Sequence, residues 1–344
     1  DAQDTEIHRR MYEYDSLLLY LEPAKAPADR RKEIPVPEDR TLIRIPPMVP
    51  YSLSEPNALL LDQAEYALDD GPWNMKEEIL RLDDLCRSSL GWPSRKESVA
   101  QPWTIRKEPV THRIRLRWRI HSKIDLKEAS LAIEDAEKVG LFLNGERVES
   151  RVNGYYADRG ICTVPLPALH TGENVIEAVI PFGERTNVEW AYLIGNFGVD
   201  LRGQCAVITG LPEKLAFGSI TTQGFPFYGG NVTYHIPVET PAGGLYVRTP
   251  QYRGSLLTVS LDAGEEVPSV YPPYIADLGR AEAGTHTVDL KLFGNRANGF
   301  GPVHLTDLKE RWIGPQAWRT EGEKWCYEYR LKEIGVLSAP EITV

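Results

Sequence analysis

Residues 169–187 read LHTGENVIEAVIPFGERTN, and residues 281–298 repeat the pattern as AEAGTHTVDLKLFGNRAN. Pro181 is the only insertion between the two copies, and both end in Phe-Gly-x-Arg-x-Asn. Apolar and polar residues alternate before that ending, which is the pattern of a half-buried β-strand. A strand and a turn precede each copy, with Asn144-Gly145 at the first turn, and Asn-Gly is a strong hairpin signal. We therefore interpret the sequence as two copies of one β-unit.

The sequence around these copies also has the pattern of a β protein. From about residue 100 onward, short alternating runs are separated by Gly, Pro and Asn turns, and no βαβ rhythm is present. A length of 344 residues suits two domains with a partial third. The sequence thus predicts a mainly β protein with two β-sandwiches in tandem, over residues 100–212 and 213–344.

Residues 1–99 are predicted to form a short mixed α/β lead-in. Apolar runs at 17–21 and 42–45 indicate strands, because prolines between them deny a helix, and residues 57–62 and 65–68 indicate a strand pair. One helix is predicted at about 75–90. Its apolar residues recur at helical spacing, two glutamates favour its first turn, and Gly91 and Pro93 end it.

Composition and charge exclude several classes of protein. The net charge is −10 and the basic residues are dispersed, which argues against a nucleic-acid surface. The longest apolar runs are too short to span a bilayer. Residues 1–4 show no signal-peptide pattern, so the compartment stays open between the bacterial cytoplasm and secretion. Four distant cysteines lack metal spacing and are expected to be mostly buried thiols, although a Cys162–Cys205 bridge is left open.

A basic strand face is predicted near the start of the first sandwich. Arginines at positions 113, 115, 117 and 119 alternate with apolar residues, so they lie on one side of a half-buried strand. Four arginines in a row could bind an acidic glycan. The alternative is a solvated or interdomain face.

The repeated elements resemble a known family. Leu141-Phe142-Leu143-Asn144-Gly145 is followed by Tyr155-Tyr156 and by GENVI at 172–176, and the second copy has Gly284-Thr285-His286 at the matching place. These segments resemble the galactose-binding-like jelly-roll domains of family 2-type and α-L-rhamnosidase-like glycoside hydrolases. The second copy departs at the hairpin, where Asp262-Ala263-Gly264 replaces Asn-Gly.

The resemblance implies two tandem jelly-roll sandwiches and a function. It implies a carbohydrate-recognising, domain-bracing, non-catalytic region of a glycoside hydrolase that acts on plant or bacterial glycans. Its partners would be a glycan and an upstream catalytic domain or subunit. No cofactor is expected, although a structural calcium ion bracing a loop would fit the family.

Sugar binding requires aromatic faces and convergent hydrogen bonds. The loop residues that supply both are Tyr155, Tyr156, Asp158, Arg185, Asn187, Trp190, Tyr192, Gln223, Phe225, Tyr228, Tyr271, Tyr274, Arg296 and Asn298. The repeated Arg-x-Asn has an alternative interpretation as a buried turn staple, in which Asn caps the backbone of the turn and Arg bridges strands, because it occurs in both copies.

Two other functions remain open from the sequence. The chain could itself be a glycosidase with a carboxylate pair, for which Glu189, beside aromatic residues, is the one named candidate. It could also be a structural scaffold without a ligand. No serine nucleophile elbow, His-Glu-x-x-His motif or phosphate-binding glycine loop is present in the sequence.

Overall fold

The computed structural model describes residues 40–94, 110–307 and 322–344. The strand predicted at residues 17–21 lies outside these ranges. Within them the protein is mainly β, with several sheets that are almost entirely antiparallel, and none of these sheets closes on itself. None of the helices in the same ranges has the length and apolar character needed to cross a lipid bilayer.

The strands follow one another through the described ranges. Up to residue 182 they are β1 (Leu42–Ile43), β2 (Met48–Val49), β3 (Tyr51–Leu53), β4 (Asn57–Leu61), β5 (Gln63–Leu68), β6 (Asn74–Glu78), β7 (His112–Ser122), β8 (Ala129–Glu134), β9 (Gly140–Leu143), β10 (Glu146–Val148), β11 (Gly154–Tyr156), β12 (Asp158–Leu166) and β13 (Gly172–Phe182). The later strands are β14 (Ala191–Gly195), β15 (Gly198–Arg202), β16 (Cys205–Thr209), β17 (Leu215–Ala216), β18 (Val232–Thr240), β19 (Gly243–Arg248), β20 (Tyr252–Arg253), β21 (Leu256–Leu261), β22 (Val267–Pro268), β23 (Ile275–Ala281), β24 (Gly284–Phe293), β25 (Gly335–Val336) and β26 (Glu341–Thr343). The α-helices are α1 (Ile79–Ser89) and α2 (Ala297–Phe300).

Two sheets enclose the first hydrophobic core. One has the order β10-β9-β13-β7-β16-β15, with β5 added to β7 and β6 added to β5, and the other has the order β11-β12-β8-β14-β4. Buried side chains from both sheets form one cluster, in which Leu116, Leu131 and Leu193 have no exposed surface. The apolar residues of β7 and β13 point into this core because alternate residues of a strand face the same side.

A second hydrophobic core lies between two further sheets. One has the order β22-β21-β24-β18-β3, and the other has the order β1-β26-β19-β23. Tyr234, Val247 and Leu290 are fully buried in this core, each from a different strand. Two small pairs, β17 with β2 and β20 with β25, complete this part of the protein.

The described part of the predicted lead-in supplies strands to both cores. Strand β3 pairs with β18 in the second core, whereas β4 pairs with β14 and β5 with β7 in the first. Both predicted strands, at 57–62 and 65–68, are present, but they do not pair with each other, because the two segments join different sheets. Each finds a partner on an existing sheet edge, which satisfies its backbone hydrogen bonds.

The two copies of the repeat fold in the same way at their hairpins. Asn144 and Gly145 have φ angles of 51° and 84°, and Asp262 and Ala263 have φ angles of 50° and 57°. The side-chain oxygen of Asn144 accepts from the Val175 N–H (2.7 Å), and that of Asp262 accepts from the Thr287 N–H (2.8 Å). An aspartate thus replaces the asparagine of the first copy with the same contact, since both side chains tolerate the left-handed conformation and offer an acceptor.

Helix α1 begins later than the sequence predicts. Residues 74–78 form strand β6, which pairs with β5, and Glu78 is the N-cap of the helix. The Glu78 carboxylate accepts from the backbone N–H groups of Leu80 (3.0 Å) and Arg81 (3.1 Å). The glutamate expected in the first turn is therefore a capping residue, which satisfies N–H groups that have no partner within the helix.

Candidate functional site

The aromatic residues predicted to stack on a sugar divide into exposed and buried groups. Tyr155 and Tyr271 are 58% and 53% exposed, and Tyr274 is half-buried with its ring 6.0 Å from that of Tyr252. Five other predicted rings are buried, namely Tyr156, Trp190, Tyr192, Phe225 and Tyr228. Because a sugar must reach the face of a ring to stack on it, these five offer no such face in this structure.

Several predicted residues meet where the second repeat packs on the first core. The rings of Tyr156, Tyr192 and Phe300 contact one another. The centroid of the Tyr156 ring lies 5.1 Å from that of Tyr192 and 5.8 Å from that of Phe300, and the last two are 5.0 Å apart. The Arg296 guanidinium lies 5.1 Å from the Tyr156 ring and donates to both carboxylate oxygens of Glu55, each at 2.7 Å. We call these five residues the junction cluster. Their contacts hold two parts of the fold together.

Two predicted binding residues hold backbone segments instead. The Asn298 amide donates to the Lys332 carbonyl oxygen (2.8 Å) and accepts from the Lys332 N–H (2.9 Å). The Gln223 amide accepts from the Ala216 N–H (2.8 Å) and donates to the carbonyl oxygens of Ala216 (3.2 Å) and Ser219 (3.1 Å). The alternative interpretation of a turn staple thus describes the contacts of Asn298 in the second copy.

The remaining predicted residues have local roles or lie on the surface. The Trp190 indole N–H donates to Glu78 (2.6 Å), and the Tyr228 hydroxyl donates to a carbonyl oxygen 2.9 Å away. Asp158 accepts from the backbone N–H two residues later (2.7 Å). Arg185 and Asn187 are exposed in the loop that ends the first repeat.

A buried polar network, which sequence reasoning missed, lies behind the junction cluster. Asp62 accepts from His304 Nε2 (2.8 Å) and from the Tyr329 hydroxyl (2.5 Å). Burial alone would lower the pKa of His304, but the hydrogen bond and the charge of Asp62 outweigh it and raise that pKa above its usual value. Burial, with the nearby charge of Asp62, also raises the pKa of the Tyr329 hydroxyl, which therefore stays a donor. The sequence contained one signal for this network, because the acidic residue Asp62 directly follows the fully buried strand β4.

A groove of about 820 Å³, lined by both polar and apolar side chains, lies beside this network. It is lined by residues that belong to both cores or adjoin them, among them Asp200 on β15 and Thr221 and Gln223 beside β17. Further hydroxyl, charged and aromatic side chains complete the lining, namely Thr209, Lys214, Thr222, Tyr329 and Glu333. A concave surface with hydroxyls, charges and a ring has the features of a small-molecule or sugar site.

Two carboxylates, Asp200 and Glu333, line the groove. Asp200 in the groove is bonded to Arg202 (3.3 Å), and this contact, with the charges of Arg202 and Lys123, lowers the pKa of the carboxyl. Burial raises the pKa of Glu78 to about 7, but this carboxylate caps helix α1 and lines neither the groove nor the smaller cavity near β7. Glu189, the sequence candidate, is half-buried and outside both cavities.

The four arginines of β7 are bonded to other groups, three of them to carboxylates. Arg117 contacts Glu177 (2.6 Å) and Glu65 (3.4 Å), and Arg119 contacts Glu65 (2.9 Å) and Glu173 (3.1 Å). The ring of Trp73 lies 3.7 Å from the guanidinium of Arg117. The first two arginines of the row are also held, Arg113 by Asp70 and Arg115 by the carbonyl oxygen of Gly71. The basic face is thus largely neutralised, which favours the structural interpretation over the binding of an acidic glycan.

Metal ligands and cysteines add no further site in the residues described. In the ranges given above, His, Cys, Asp and Glu form no group of three that could hold a metal ion. All four cysteines are free, so the Cys162–Cys205 bridge is not present. Only Cys86 is buried, and Cys205 is exposed, so the expectation of mostly buried thiols is wrong.

Comparisons with known proteins identify distant structural neighbours among glycoside hydrolases. No family model matches the sequence, and neither does any curated protein. Among solved structures, the chain is similar to a rhamnosidase from Novosphingobium sp. PP1Y, with 15% identity over 69% of this chain and 23% of that chain and a TM-score of 0.28. It is also similar to a β-D-mannosidase from Dictyoglomus thermophilum (12% identity, 70% and 31% of the two chains, TM-score 0.26). A third is a GH2 β-galacturonidase from Eisenbergiella tayi bound to galacturonate (10% identity, 70% and 37%, TM-score 0.25).

These similarities are limited in extent. The chain spans between 23% and 37% of the length of the three enzymes. At TM-scores this low, the similarity supports no conclusion about function. Function must therefore be inferred from the residues of the site.

Proposed function

We propose that the chain is a carbohydrate-recognising, domain-bracing region, non-catalytic toward glycosidic bonds, and that it works beside the catalytic domain or subunit of a glycoside hydrolase. The observation that carries this proposal is the groove between elements of the two cores. A groove of about 820 Å³ falls within the roughly 300–1,000 Å³ of small-molecule sites and can hold more than one sugar ring.

The lining of the groove suits a polyhydroxylated ligand. The hydroxyls of Thr221 and Thr222 are bonded to Ser219 (2.7 and 3.1 Å) and keep lone pairs that can accept from a ligand, and Lys214 offers a donor. Tyr329 also lines the groove, with its ring packed against Phe227 and His304 (5.0 Å each) and its hydroxyl bonded to Asp62 (2.5 Å). These contacts hold Tyr329 in one orientation, which lowers the entropic cost of a ligand contact with it.

The bracing part of the proposal rests on the junction cluster and the network behind it. Glu55, from the segment between β3 and β4, binds Arg296 at the end of the second repeat, and Tyr156 of the first sandwich lies under that guanidinium. Asp62 and His304, which are far apart in the chain, are joined by a hydrogen bond of 2.8 Å. These contacts tie the two cores into one support, which a neighbouring domain could use as a platform.

We also propose the finer fold assignment: two tandem galactose-binding-like jelly-rolls over about 100–212 and 213–344, behind a lead-in over 1–99. Equivalent hairpins at Asn144-Gly145 and Asp262-Ala263, with equivalent side-chain contacts, support it. A loop-bracing calcium ion stays a prediction, which calcium titration of the unfolding midpoint would test.

The test is retention of the purified chain on immobilised plant and bacterial polysaccharides, with released sugar measured in the same wells. The variant Thr221→Val with Lys214→Met removes two polar groups of the groove and should lower retention at least tenfold. Thr285→Val, which removes an exposed hydroxyl outside the groove, serves as the matched control and should leave retention unchanged.

Each outcome decides between the three functions. Selective retention without cleavage, lost in the groove variant, supports recognition. Retention that persists in the groove variant but is lost in Tyr155→Ala or Tyr271→Ala would move the binding site to the exposed rings. Absence of retention on every glycan favours a scaffold, and released sugar would show that the chain is a glycosidase.

A further inference from the structure

A serine, a histidine and an aspartate are joined in series on the outer face of one sheet of the second core. His235 Nδ1 lies 2.7 Å from Asp289 Oδ1, and His235 Nε2 lies 3.0 Å from Ser52 Oγ. The three residues belong to β18, β24 and β3, which are neighbours in the sheet. His235 is directly opposite Asp289, and Ser52 is opposite the residue two before His235, so all three side chains lie on the same face. The register of the strands therefore fixes the series.

The three side chains remain accessible from solvent. Ser52 is exposed, and the side chains of His235 and Asp289 keep 35% and 17% of their surface exposed. Strand β3 is the last strand of its sheet among the described residues. A substrate can therefore reach the Ser52 hydroxyl without any opening of the fold.

The partners of the imidazole determine which of its nitrogens carries the proton. A carboxylate can only accept hydrogen bonds, so His235 Nδ1–H donates to Asp289. In the neutral ring, Nε2 then has the lone pair and accepts from the Ser52 hydroxyl. This order of contacts is the one in which a histidine acts as general base toward a serine, while an aspartate holds the ring in the required tautomer.

Two other histidines that contact an aspartate lack this arrangement. His286 has an aspartate 2.6 Å from Nδ1 and a backbone carbonyl oxygen 3.0 Å from Nε2. His304 has an aspartate 2.8 Å from Nε2 and a backbone carbonyl oxygen 3.3 Å from Nδ1. Because both nitrogens of these rings face acceptors, neither nitrogen is available as a base. Among these three histidines, His235 alone has a hydroxyl at its second nitrogen.

The backbone beside Ser52 offers a donor for negative charge on a substrate. The Ser54 N–H donates to the Asn231 carbonyl oxygen (3.0 Å), so the backbone groups of residues 52 and 54 point toward β18. Since these directions alternate along a strand, the Leu53 N–H points to the edge that no described strand covers. The N–H of the residue after the nucleophile is one of the oxyanion donors of α/β-hydrolases.

The surroundings of the three residues favour a small polar ester as the substrate. Thr233 and Thr287 lie on the same face, because each is two residues before His235 or Asp289 on its strand. Their hydroxyls suit an ester whose acyl group is short and whose alcohol is polar. A long apolar acyl chain would bury little surface against them.

We propose that Ser52, His235 and Asp289 form a hydrolytic site for short-chain esters, such as acetyl esters on the hydroxyls of a glycan. Ser52 Oγ bonds to the acyl carbon as His235 Nε2 takes its proton, and the ester C–O bond breaks as the leaving alcohol takes that proton. Water then bonds to the acyl carbon and gives a proton to His235. The bond between Ser52 and the acyl group breaks as Ser52 regains this proton, which releases the carboxylic acid. Asp289 is a positioning residue that keeps the ring proton on Nδ1.

This inference goes beyond the proposed function, because it adds a reaction on ester bonds to a region that does not cleave glycosidic bonds. None of the three residues lines the groove, so the two sites can be tested separately. The sequence contains no local motif for the site, since residues 52, 235 and 289 come from strands that are distant along the chain.

The first experiment treats the whole chain with a fluorophosphonate, a probe for activated serine hydroxyls, and locates the label by mass spectrometry. The wild type should be labelled at Ser52, and His235→Gln should slow the labelling by roughly a hundredfold or more, as expected for the loss of a positioned general base. Ser54→Ala is the matched control, because Ser54 is exposed on the same segment but its hydroxyl is bonded to a backbone N–H (2.8 Å). It should be labelled as the wild type is.

The second experiment follows the hydrolysis of p-nitrophenyl acetate by the same proteins. Ser52→Ala and His235→Gln should lower the rate by roughly a hundredfold or more, and Ser54→Ala should not change it. Asp289→Asn should slow both reactions by roughly tenfold or more and should move the ring proton of His235 from Nδ1 to Nε2. The ¹⁵N chemical shifts of the imidazole detect this move, which loss of a purely structural contact would not produce.

The labelling of the wild type does not depend on whether a variant folds. Absence of label on Ser52, labelling that is unchanged in His235→Gln, or hydrolysis that persists in Ser52→Ala would overturn the inference. Polysaccharide retention that still depends on Thr221 and Lys214 would leave the proposed function intact in each of these cases.

Discussion

The two copies of Phe-Gly-x-Arg-x-Asn have the same sequence pattern but different roles in the structure. In the second copy, Arg296 binds Glu55 through two hydrogen bonds of 2.7 Å, and Asn298 is buried. In the first copy, Arg185 and Asn187 are both exposed. The motif fixes the path of the turn, and the neighbouring elements decide which of its side chains become buried.

The first copy's loop is held by an arginine from elsewhere. Arg87 of helix α1 donates to the carbonyl oxygens of Glu184 (2.5 Å) and Thr186 (2.6 Å) and pairs with Asp83 (2.8 Å). Its guanidinium also lies 5.4 Å from the Phe182 ring. In the second copy the arginine of the motif itself makes the contact, whereas in the first copy an arginine of helix α1 bonds to the loop. A repeated motif therefore predicts a repeated backbone better than a repeated site.

The largest effect on stability is expected from replacing Arg87, the arginine of helix α1 that holds the first copy's loop. Arg87→Met should lower the free energy of unfolding by about 3–5 kcal/mol, because it removes the hydrogen bonds that the buried Asp83 carboxylate and two carbonyl oxygens accept from the guanidinium. Urea unfolding of the variant measures this loss. Arg113→Met, which breaks the exposed contact with Asp70, is the control and should cost at most about 1 kcal/mol. A similar loss in both variants would contradict the role given to Arg87.

The next effect concerns the cap of the helix that supplies Arg87. Burial raises the pKa of Glu78 from 4.5 to about 7, so between these values the folded protein holds a proton that the unfolded chain releases. Stability therefore decreases as the pH rises through this window, by about 3 kcal/mol for such a shift. Glu78→Gln cannot titrate, so its stability relative to wild type should improve by that amount between pH 4.5 and pH 8.

Urea unfolding at several pH values measures the difference between wild type and Glu78→Gln. A ¹³C titration of the Glu78 carboxyl gives an independent reading of the same proton. A difference between the two proteins that does not vary with pH would show that the three N–H groups around the carboxylate, from Leu80, Arg81 and Trp190, keep it charged.

Local patterns account for the parts of the fold that the sequence predicted. Alternation of apolar residues predicted β7 and β13, and the turn residues predicted the hairpin at Asn144-Gly145, where both φ angles are positive. These signals operate within a few residues, where sterics and periodicity dominate. Even so, the start of helix α1 was placed several residues early, because the glutamates that suggested a first turn belong to a strand and its cap.

Contacts between distant segments account for the features that the sequence could not predict. Tyr156 and Tyr192 were predicted to be sugar-stacking rings, and their rings pack on Phe300, more than a hundred residues later. Ser52, His235 and Asp289 meet on one face only because their strands, distant along the chain, lie side by side in one sheet. Composition cannot tell a ring that faces a ligand from one that faces another sheet, since both environments select Tyr and Trp.

The asparagines that end the two copies provide a direct comparison of equivalent positions. Asn298→Ala should cost about 1–3 kcal/mol, because the Lys332 N–H and carbonyl oxygen both lose their partner. Asn187→Ala, at the equivalent and exposed position of the first copy, should change stability by less than about 0.5 kcal/mol. Thermal unfolding of both variants tests this, and equal losses would mean that the two turns are held in the same way.

The smallest effect is expected at the junction cluster itself. A double-mutant cycle with Arg296→Gln and Glu55→Gln should give a coupling of about 1 kcal/mol, at the upper end for pairs that remain partly in contact with water. The exposed pair Arg248–Glu341 is the matched control, with side chains 44% and 50% exposed against 34% and 25% at the junction. Its coupling should be smaller and should decrease further in salt, because screening acts most strongly on exposed charges. If the two cycles give the same coupling, Arg296 contributes no more to bracing than a surface arginine, and the difference between the two repeats lies in Asn298 alone.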